Sequence, residues 1–191
     1  MRKLVIAITG GIGSGKSTVC ALIKKLGFPV FSADETYAEL LLDEGFVKGV
    51  HQSVGINSES KTLLRKEVSS IVFKDREKLK ALNSFTHEKI VNEMFRRSEG
   101  KEVVFHEVPL LFEGGFEKLY DKVIVVTRPI EERIKSVEAR SGLSKEQIKD
   151  RIKNQILYEN LNDIKHTVIT NDGSESELEE KLRAVLNEII G

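Results

Sequence analysis

Eight residues near the start of the chain have the composition and spacing of a phosphate-binding loop. Residues 10–17 read Gly-Gly-Ile-Gly-Ser-Gly-Lys-Ser and satisfy the P-loop pattern G-x-x-x-x-G-K-[ST]. Glycines allow consecutive main-chain N–H groups to turn toward a polyphosphate without obstruction by side chains. Lys16 would place a positive charge at the β and γ phosphates, and the Ser17 hydroxyl would bind Mg²⁺. The pattern therefore predicts a site for a nucleoside triphosphate.

The residues on either side of this loop predict the elements that position it. Residues 3–9 form a near-continuous apolar run typical of a buried strand. After the loop, apolar residues recur at helical spacing until Gly27 can end the helix: Val19, Leu22, Ile23 and Leu26. A dinucleotide-binding loop would require G-x-G-x-x-G, which no register of these glycines supplies. A plain glycine-rich turn is the other interpretation, but the full pattern arises by chance in about one chain of this length in a hundred.

Short apolar runs separated by helical patterns predict the fold class. Four such runs follow the first, at residues 28–31, 103–105, 123–126 and, more weakly, 168–169. Strands that are apolar on both sides are typical of a parallel sheet covered by helices on both faces. We therefore expect a single α/β domain over residues 1–191, with three layers and a parallel five-stranded sheet.

Two helical segments exceed what this sheet requires. The stretch from about 37 to 100 is longer than one crossover helix and predicts an inserted helical subdomain, which either binds a ligand or only packs. In the segment from about 129 to 160, Pro129 can begin a helix and Gly142 can end it. Ser144 with Gln147 can then cap a second helix, from about Lys145 to Tyr158. This charged hairpin is either an ordinary solvated surface or a movable lid over a phosphate site.

Composition excludes several classes of partner. The 191 residues contain 30 Lys and Arg against 30 Asp and Glu, so the formal net charge of +0 provides no overall field to attract nucleic acid or an acidic membrane. No apolar stretch is long enough to span a bilayer. Cys20 is the only cysteine, which excludes an internal disulfide and favours the reducing cytoplasm. The oligomeric state cannot be predicted from these features.

A carboxylate follows the second predicted strand. In a parallel sheet the carboxyl ends of the strands face the ligand crevice, so Asp34 can reach the phosphate region. There it could accept the proton of an acceptor hydroxyl or hold Mg²⁺. The other interpretation is that Asp34 and Glu35 favour the first turn of a helix, with Ser32 and Glu35 forming a capping box.

The chain resembles the dephospho-CoA kinases over nearly its whole length. The most specific parts of the resemblance are Pro109-Leu110-Leu111-Phe112-Glu113 after the third strand and Ala33-Asp34 after the second. Further matching residues lie along the rest of the chain: Thr9 to Thr18, Arg65, Val72-Phe73, Leu82-Asn83, Thr86-His87, Val108, Arg140, Arg151, Gln155 and Asn171. The resemblance implies phosphorylation of the ribose 3′-hydroxyl of dephospho-CoA, with ATP as co-substrate and Mg²⁺ as cofactor, to give coenzyme A and ADP.

The resemblance also implies roles for individual residues. Catalysis would depend on Asp34 as general base, Lys16, and Arg140 as a lid arginine. The ATP-binding residues would be Gly11, Ile12, Gly13, Ser14, Gly15, Lys16, Ser17, Thr18, Arg140 and Asn171, with Ser17 on the metal. The acceptor-binding residues would be Asp34, Arg65, His87, Pro109, Leu110, Leu111, Phe112 and Glu113.

Each of these roles has a simpler alternative. Arg65 could instead pair with Glu67 or Asp75, and the run from Pro109 to Phe112 could only fill the core. Arg140 and Arg151 could be surface residues, and Asn171 a turn former.

The chain departs from the family pattern at two positions. Ser32 replaces the first aspartate of an Asp-Ala-Asp segment, and a hydroxyl cannot act as a carboxylate base. Glu88 replaces the proline of a Thr-His-Pro segment, which leaves the conformation near His87 open. The family has an aspartate near the position of Glu107. Glu107 could bind magnesium through a water molecule, or it could be a buried partner for a cation. The four histidines have no zinc-site spacing and are interpreted as structural or surface residues.

Two other functions fit a P-loop. One is a kinase of the same architecture with a different acceptor. The other is a nucleotide-dependent switch, which is disfavoured because the chain has no N-K-x-D segment to read guanine.

Overall fold

The chain divides into two compact units. The computed structural model describes residues 4–153, 155 and 166–191. The first unit, called here the sheet unit, comprises Met1–Val30 and Lys101–Gly191, and the second, the helical unit, comprises Phe31–Gly100. The helical unit is thus inserted between the second and third strands of the sheet.

The central sheet has five strands in the order β2-β3-β1-β4-β5. The strands are β1 Leu4–Thr9, β2 Val30–Ser32, β3 Val103–Glu107, β4 Lys122–Thr127 and β5 Thr167–Thr170. β1 pairs in parallel with β3 and β4, and β4 pairs in parallel with β5. The predicted parallel five-stranded sheet is therefore confirmed. The register pairs Ile8 with Glu107 and Thr9 with Val125, so β1, β3 and β4 end at the same edge.

Both faces of the central strand are buried, which explains its continuous apolar run. Side chains of a strand alternate between the two faces, and Ile6 and Ile8 on one face are as inaccessible as Val5 and Ala7 on the other. Ile6 and Ile8 belong to a core cluster with residues of α1 (Lys16–Lys25) and α8 (Glu175–Ile190): Val19, Cys20, Leu22, Ile23, Leu178, Leu182 and Leu186. α1 and α8 therefore cover the face of the sheet that carries Ile6 and Ile8, as the apolar runs predicted.

Two further helices follow β4, and both ends of the first and the start of the second are those that their capping residues predict. α6 spans Ile130–Ser141, with Pro129 as its N-cap and Gly142 after its last residue at φ +65°. α7 spans Lys145–Lys153. It begins with reciprocal bonds, because Gln147 N–H donates to the Ser144 hydroxyl and Ser144 N–H donates to the Gln147 side chain. The predicted end of this helix at Tyr158, and of the lid near residue 160, lie outside the described residues.

The helical unit has its own apolar core. Its helices are α2 Ala33–Leu40, α3 Glu44–Ser53, α4 Arg65–Val72 and α5 Arg76–Arg97. Phe46 and Val50 of α3 and Val68 of α4 are buried in one cluster. The Phe46 and Phe85 rings stack with their centroids 5.7 Å apart. The unit therefore has the packed interior expected of a subdomain.

The structure decides two points that the sequence left open, the role of Ser32 and the conformation near His87. Ser32 is the N-cap of α2, as predicted, but its side chain makes no capping hydrogen bond, so the capping box with Glu35 is wrong. Ser32 is instead the buried last residue of β2. The conformation near His87, which the sequence left undecided, is helical. α5 continues through Glu88, because a glutamate retains the main-chain N–H that a proline would lack.

No helix in residues 4–153, 155 and 166–191 is long and apolar enough to cross a bilayer.

Candidate active site

The phosphate loop, residues 10–17, leads from β1 directly into the first turn of α1. Gly15 is the N-cap of α1 at φ +97°, and no side chain caps this helix start. Gly13 also has a left-handed backbone, at φ +76°. Because a helix start without a side-chain cap presents free N–H donors at the positive end of the helix dipole, the loop is suited to bind an anion.

The Lys16 ammonium group lies over the loop. Its Nζ donates to the Gly10 carbonyl oxygen at 2.7 Å and to that of Gly11 at 3.1 Å. The ammonium is therefore held beside the main-chain donors, at the place where phosphate charge would need to be neutralised. The three donors of an ammonium allow it to exchange these carbonyls for phosphate oxygens.

Ile12, at the tip of the loop, is held by the helices that follow β4. Its N–H donates to Gln155 Oε1 at 2.8 Å, and its carbonyl accepts from Arg133 Nε at 2.9 Å. Its side chain packs against the apolar cluster of α6 and α7: Ile134, Val137, Ile148 and Ile152. Both main-chain polar groups and the side chain of Ile12 are thus bound by the segment from 129 onward.

Asn171 holds the opposite side of the loop. Its side-chain Nδ2 donates to the Ser14 carbonyl at 3.0 Å, and its main-chain N–H donates to Thr127 at 2.8 Å. An added methyl group at Gly15 would overlap Asn171 Nδ2. Asn171 is thus not only a turn former, because its side chain contacts the phosphate loop. Direct contact of Asn171 with ATP stays a prediction.

Two buried hydroxyls lie at the phosphate loop. Thr9 directly precedes the loop and Ser14 lies within it. Both residues are at most 1% exposed. Within the described residues, neither hydroxyl oxygen has a hydrogen-bond partner. A buried hydroxyl without a partner is costly, so Thr9 before the loop and Ser14 within it are positions where a polar side chain is kept at the expense of stability.

Ser17 and Thr18 present exposed hydroxyls in the first turn of α1. They line an open groove of about 380 Å³ that also includes Lys25 and Glu175. Among the described residues, no cluster of three or more His, Cys, Asp or Glu could hold a metal by itself. Magnesium usually retains several waters and binds few protein oxygens together with substrate phosphates, so an exposed serine hydroxyl fits it chemically.

The segment after β3 is a series of turns with two kinds of side chain. Leu111 is fully buried and Phe112 is 9% exposed, so these two fill the core. Leu110 is 41% exposed and Glu113 is also exposed, whereas Pro109 is half-buried. The core-filling interpretation is correct for Leu111 and Phe112, and contact with an acceptor stays a prediction for all five residues.

Glu107 and His106 end β3. Glu107 is half-buried and is the register partner of Ile8 in β1. Ile8 lies just before the phosphate loop, which begins at Gly10. His106 is fully buried, and its Nδ1 lies 3.2 Å from the Tyr120 hydroxyl, within hydrogen-bonding distance. Burial also raises the pKa of Tyr120 above its usual range. The structural interpretation of His106 is consistent with this buried pair.

Three predicted acceptor-binding residues lie in the helical unit. Asp34 is exposed at the second position of α2, so its carboxylate is accessible. Arg65 is exposed at the first position of α4 and lines a groove of about 560 Å³. The other residues of this groove are Lys66, Ser69, Ser70, Phe73 and Lys74. Within the part of the chain that is described, Arg65 pairs with neither Glu67 nor Asp75. His87 is half-buried on α5, and burial lowers its pKa.

The arginines of the predicted lid differ in placement. Arg140 is exposed in the last turn of α6, and Arg151 is exposed on α7. Arg133, which the sequence analysis missed, is instead buried against the phosphate loop. A signal for it existed, because Arg133 interrupts the apolar face of α6 that includes Ile134 and Val137. A cation among apolar positions needs a specific partner.

These features define a class of protein. A parallel sheet whose first strand runs through a G-x-x-x-x-G-K-[ST] loop into a helix, with an inserted helical unit after the second strand, is the P-loop kinase fold.

Comparison with known proteins identifies the family. The chain belongs to the dephospho-CoA kinase family, whose sequence model matches residues 4–177. It is 38% identical over 192 residues to the dephospho-CoA kinase of Thermus thermophilus, covering 98% of this chain and 93% of that protein. A crystal structure from Thermus thermophilus superimposes with a TM-score of 0.82 at 36% identity and full coverage of both chains. The dephospho-CoA kinase structure from Campylobacter jejuni gives 0.66 at 30% identity, covering 97% and 96% of the two chains.

Proposed function

We propose that this protein transfers the γ-phosphoryl group of ATP to the ribose 3′-hydroxyl of dephospho-CoA, giving coenzyme A and ADP, the last step of coenzyme A biosynthesis. The observation that carries the proposal is the family match over residues 4–177, which includes the phosphate loop and the helical unit. A reducing cytoplasm is the compartment we propose, because the chain has a single cysteine, Cys20, and so cannot form an internal disulfide.

The ATP side of the reaction belongs to the sheet unit. The main-chain donors of residues 11–18, apart from the Ile12 N–H that is bonded to Gln155, would bind the phosphates, and Lys16 would neutralise charge on the β and γ groups. The exposed Ser17 hydroxyl is the proposed magnesium ligand, and bound Mg²⁺ would supply further charge neutralisation. Asn171, already bonded to Ser14, would hold the loop next to the nucleotide, and Arg140 would contribute positive charge from α6.

The acceptor side has Asp34 as the proposed general base. The acceptor oxygen forms a bond to the γ phosphorus while the bond between that phosphorus and the bridging oxygen of ADP breaks. The hydroxyl proton passes to the Asp34 carboxylate, which is exposed and therefore accessible to an acceptor. Ser32 is buried and lacks a carboxylate, so we assign it no part in proton transfer.

The groove along α4 is the proposed site for the charged part of the acceptor. Arg65, Lys66 and Lys74 supply three cations along it, and Phe73, 91% exposed, supplies an apolar surface beside them. This combination suits a diphosphate next to an aromatic base or an apolar arm. His87 and residues 109–113 are the remaining proposed acceptor contacts.

The direct test is incubation of the purified protein with ATP, Mg²⁺ and dephospho-CoA. We expect ADP and a product heavier by one phosphoryl group, with the phosphate on the 3′ position by mass spectrometry and phosphorus NMR. A panel of shikimate, gluconate, nucleosides and dephospho-CoA separates this function from that of a kinase with another acceptor. ATP consumption with one of the other acceptors and none with dephospho-CoA would reject the proposal.

Variants test the two central residues. Lys16→Ala and Asp34→Asn should each lower kcat by at least about 100-fold, because positioned charge and general-base catalysis each contribute factors of this size. Glu35→Gln is the matched control, since Glu35 is the neighbouring exposed carboxylate on α2 and should tolerate the change. Full activity of the Asp34→Asn enzyme would remove Asp34 from the mechanism.

A further inference from the structure

Arg133 is a buried cation that contacts the phosphate loop. It is 9% exposed, and among the described residues no other Lys, Arg, Asp or Glu is as buried. Removing a guanidinium from water is expensive unless its charge and donors are used within the protein. The location of Arg133 therefore indicates a specific task for this side chain.

Three contacts of Arg133 lie at the tip of the loop. Its Nε donates to the Ile12 carbonyl at 2.9 Å. Its guanidinium covers Gly11 so closely that a methyl group there would overlap Nη2. Its main-chain oxygen lies 2.7 Å from where a methyl group on Gly13 would be. Both the side chain and the backbone of Arg133 therefore press on residues 11–13.

The bond to the Ile12 carbonyl determines the direction of a neighbouring donor. Peptide bonds are planar, and the one between Ile12 and Gly13 is trans, since residues 4–153 contain no cis peptide. In a trans peptide the C=O of one residue and the N–H of the next point in opposite directions. Because Arg133 holds the Ile12 oxygen on the α6 side, the Gly13 N–H points away from α6.

We propose that Arg133 is a positioning residue of the ATP site, which orients the Ile12–Gly13 peptide so that it offers a phosphate the Gly13 N–H and not the Ile12 carbonyl oxygen. This inference rests on the proposed function only in taking ATP as the ligand of the loop. A glycine-flanked peptide rotates easily, and a rotated peptide would present a partial negative charge to the triphosphate. The Gln155 bond to the Ile12 N–H fixes the preceding peptide, whose Gly11 carbonyl accepts from Lys16 Nζ.

The test compares three variants on α6. Arg133→Met removes the donor and the charge at similar length, Arg133→Lys keeps a charge and a donor, and Lys135→Met is the control. Lys135 is an exposed residue on the same helix, paired with Glu132. ATP affinity is measured by calorimetric titration without acceptor, and KM for ATP, KM for dephospho-CoA and kcat by steady-state kinetics. Urea denaturation reports whether each variant is folded.

We expect Arg133→Met to weaken ATP binding and raise KM for ATP about tenfold or more, the usual effect of losing a charge-assisted hydrogen bond. KM for dephospho-CoA should stay within about twofold, and Lys135→Met should match the wild type. Arg133→Lys should recover part of the ATP affinity, which a purely structural role would not predict. If Arg133→Met is poorly folded, the folded Arg133→Lys protein provides the same KM comparison.

The outcomes separate this inference from the proposed function. Wild-type ATP affinity in the Arg133→Met protein, or an equal loss for both substrates that follows the fraction of folded protein, would overturn the role of Arg133. A wild-type protein that binds ATP but leaves dephospho-CoA unmodified would overturn the proposed acceptor and leave the ATP titrations of the variants as the test of Arg133.

Discussion

Replacing Gly13 with alanine tests whether α6 packs against the phosphate loop as closely as the structure shows. Gly13 has φ +76°, where an L-residue is strained. An added methyl group would also lie 2.7 Å from the Arg133 carbonyl oxygen and 2.8 Å from Val137 Cγ2. The first atom belongs to a helix backbone and the second to a side chain that is 1% exposed, so neither can move aside by rotating.

Gly27 allows the two costs to be separated. It has φ +90°, and no atom lies within 4 Å of its added methyl group. Gly27→Ala should therefore lose only the backbone strain, about 1 to 2 kcal/mol of unfolding free energy. Gly13→Ala should lose this amount plus about 1 to 3 kcal/mol for overpacking. The difference between the two variants isolates the contact with α6.

Equilibrium urea denaturation of the two variants and the wild type measures this difference. We expect the midpoint for Gly13→Ala to be the lower one, with similar slopes for all three proteins, because the slope reflects surface exposed on unfolding. ATP affinity should fall in Gly13→Ala and stay unchanged in Gly27→Ala. Equal destabilisation of the two variants within about 0.5 kcal/mol would show that overpacking against α6 is absent.

Four further substitutions test other contacts by the same denaturation assay. Ser174→Ala should cost about 1 kcal/mol because Ser174 forms a full capping box at α8, whereas Ser32→Ala should cost less because its side chain makes no capping bond. Tyr120→Phe should cost about 1 kcal/mol by removing the hydroxyl beside His106. Hydrogen bonds from two arginines lower the pKa of Glu93 from 4.5 to about 2, so its stabilisation is complete above pH 4.5 and is lost as the pH falls toward 2. Glu93→Gln should therefore flatten the dependence of stability on pH in that range.

Each of these predictions has a result that would contradict it. Equal losses for Ser174→Ala and Ser32→Ala would mean that the capping bonds at α8 contribute nothing measurable. An unchanged midpoint for Tyr120→Phe would show that the buried pair does not stabilise the fold. An unaltered acid limb in Glu93→Gln would assign the loss of stability below pH 4.5 to other carboxylates.

The sequence by itself determined the elements whose cause is local. The phosphate loop depends on consecutive residues, and the strand and helix beside it follow from apolar periodicity. The boundaries of α6 and the start of α7 were also predictable, since Pro129, Gly142 and the Ser144–Gln147 pair act within one helical turn. Residues within one turn of each other interact in any tertiary context, so their pattern is sufficient.

The sequence was ambiguous where two local causes compete. Ser32 has the spacing of a capping box, yet the side chain is buried at the end of β2 and does not cap. Near His87, the sequence left the conformation open, and α5 continues there because Glu88 retains the N–H that a helix requires. Burial decided the conformation at Ser32, whereas at Glu88 the residue type permits the helix.

Only the tertiary structure decided what holds the phosphate loop. The bonds from Arg133 and Gln155 to Ile12, and from Asn171 to Ser14, join residues 121, 143 and 157 positions apart. The position of Arg133 among the apolar residues of α6 indicated that it needs a partner, but the sequence could not identify Ile12 as that partner, because the contact follows from the direction in which α6 packs on the loop. The chemistry of phosphate binding is therefore encoded in eight consecutive residues, whereas their orientation depends on contacts that exist only after the sheet and its helices have assembled.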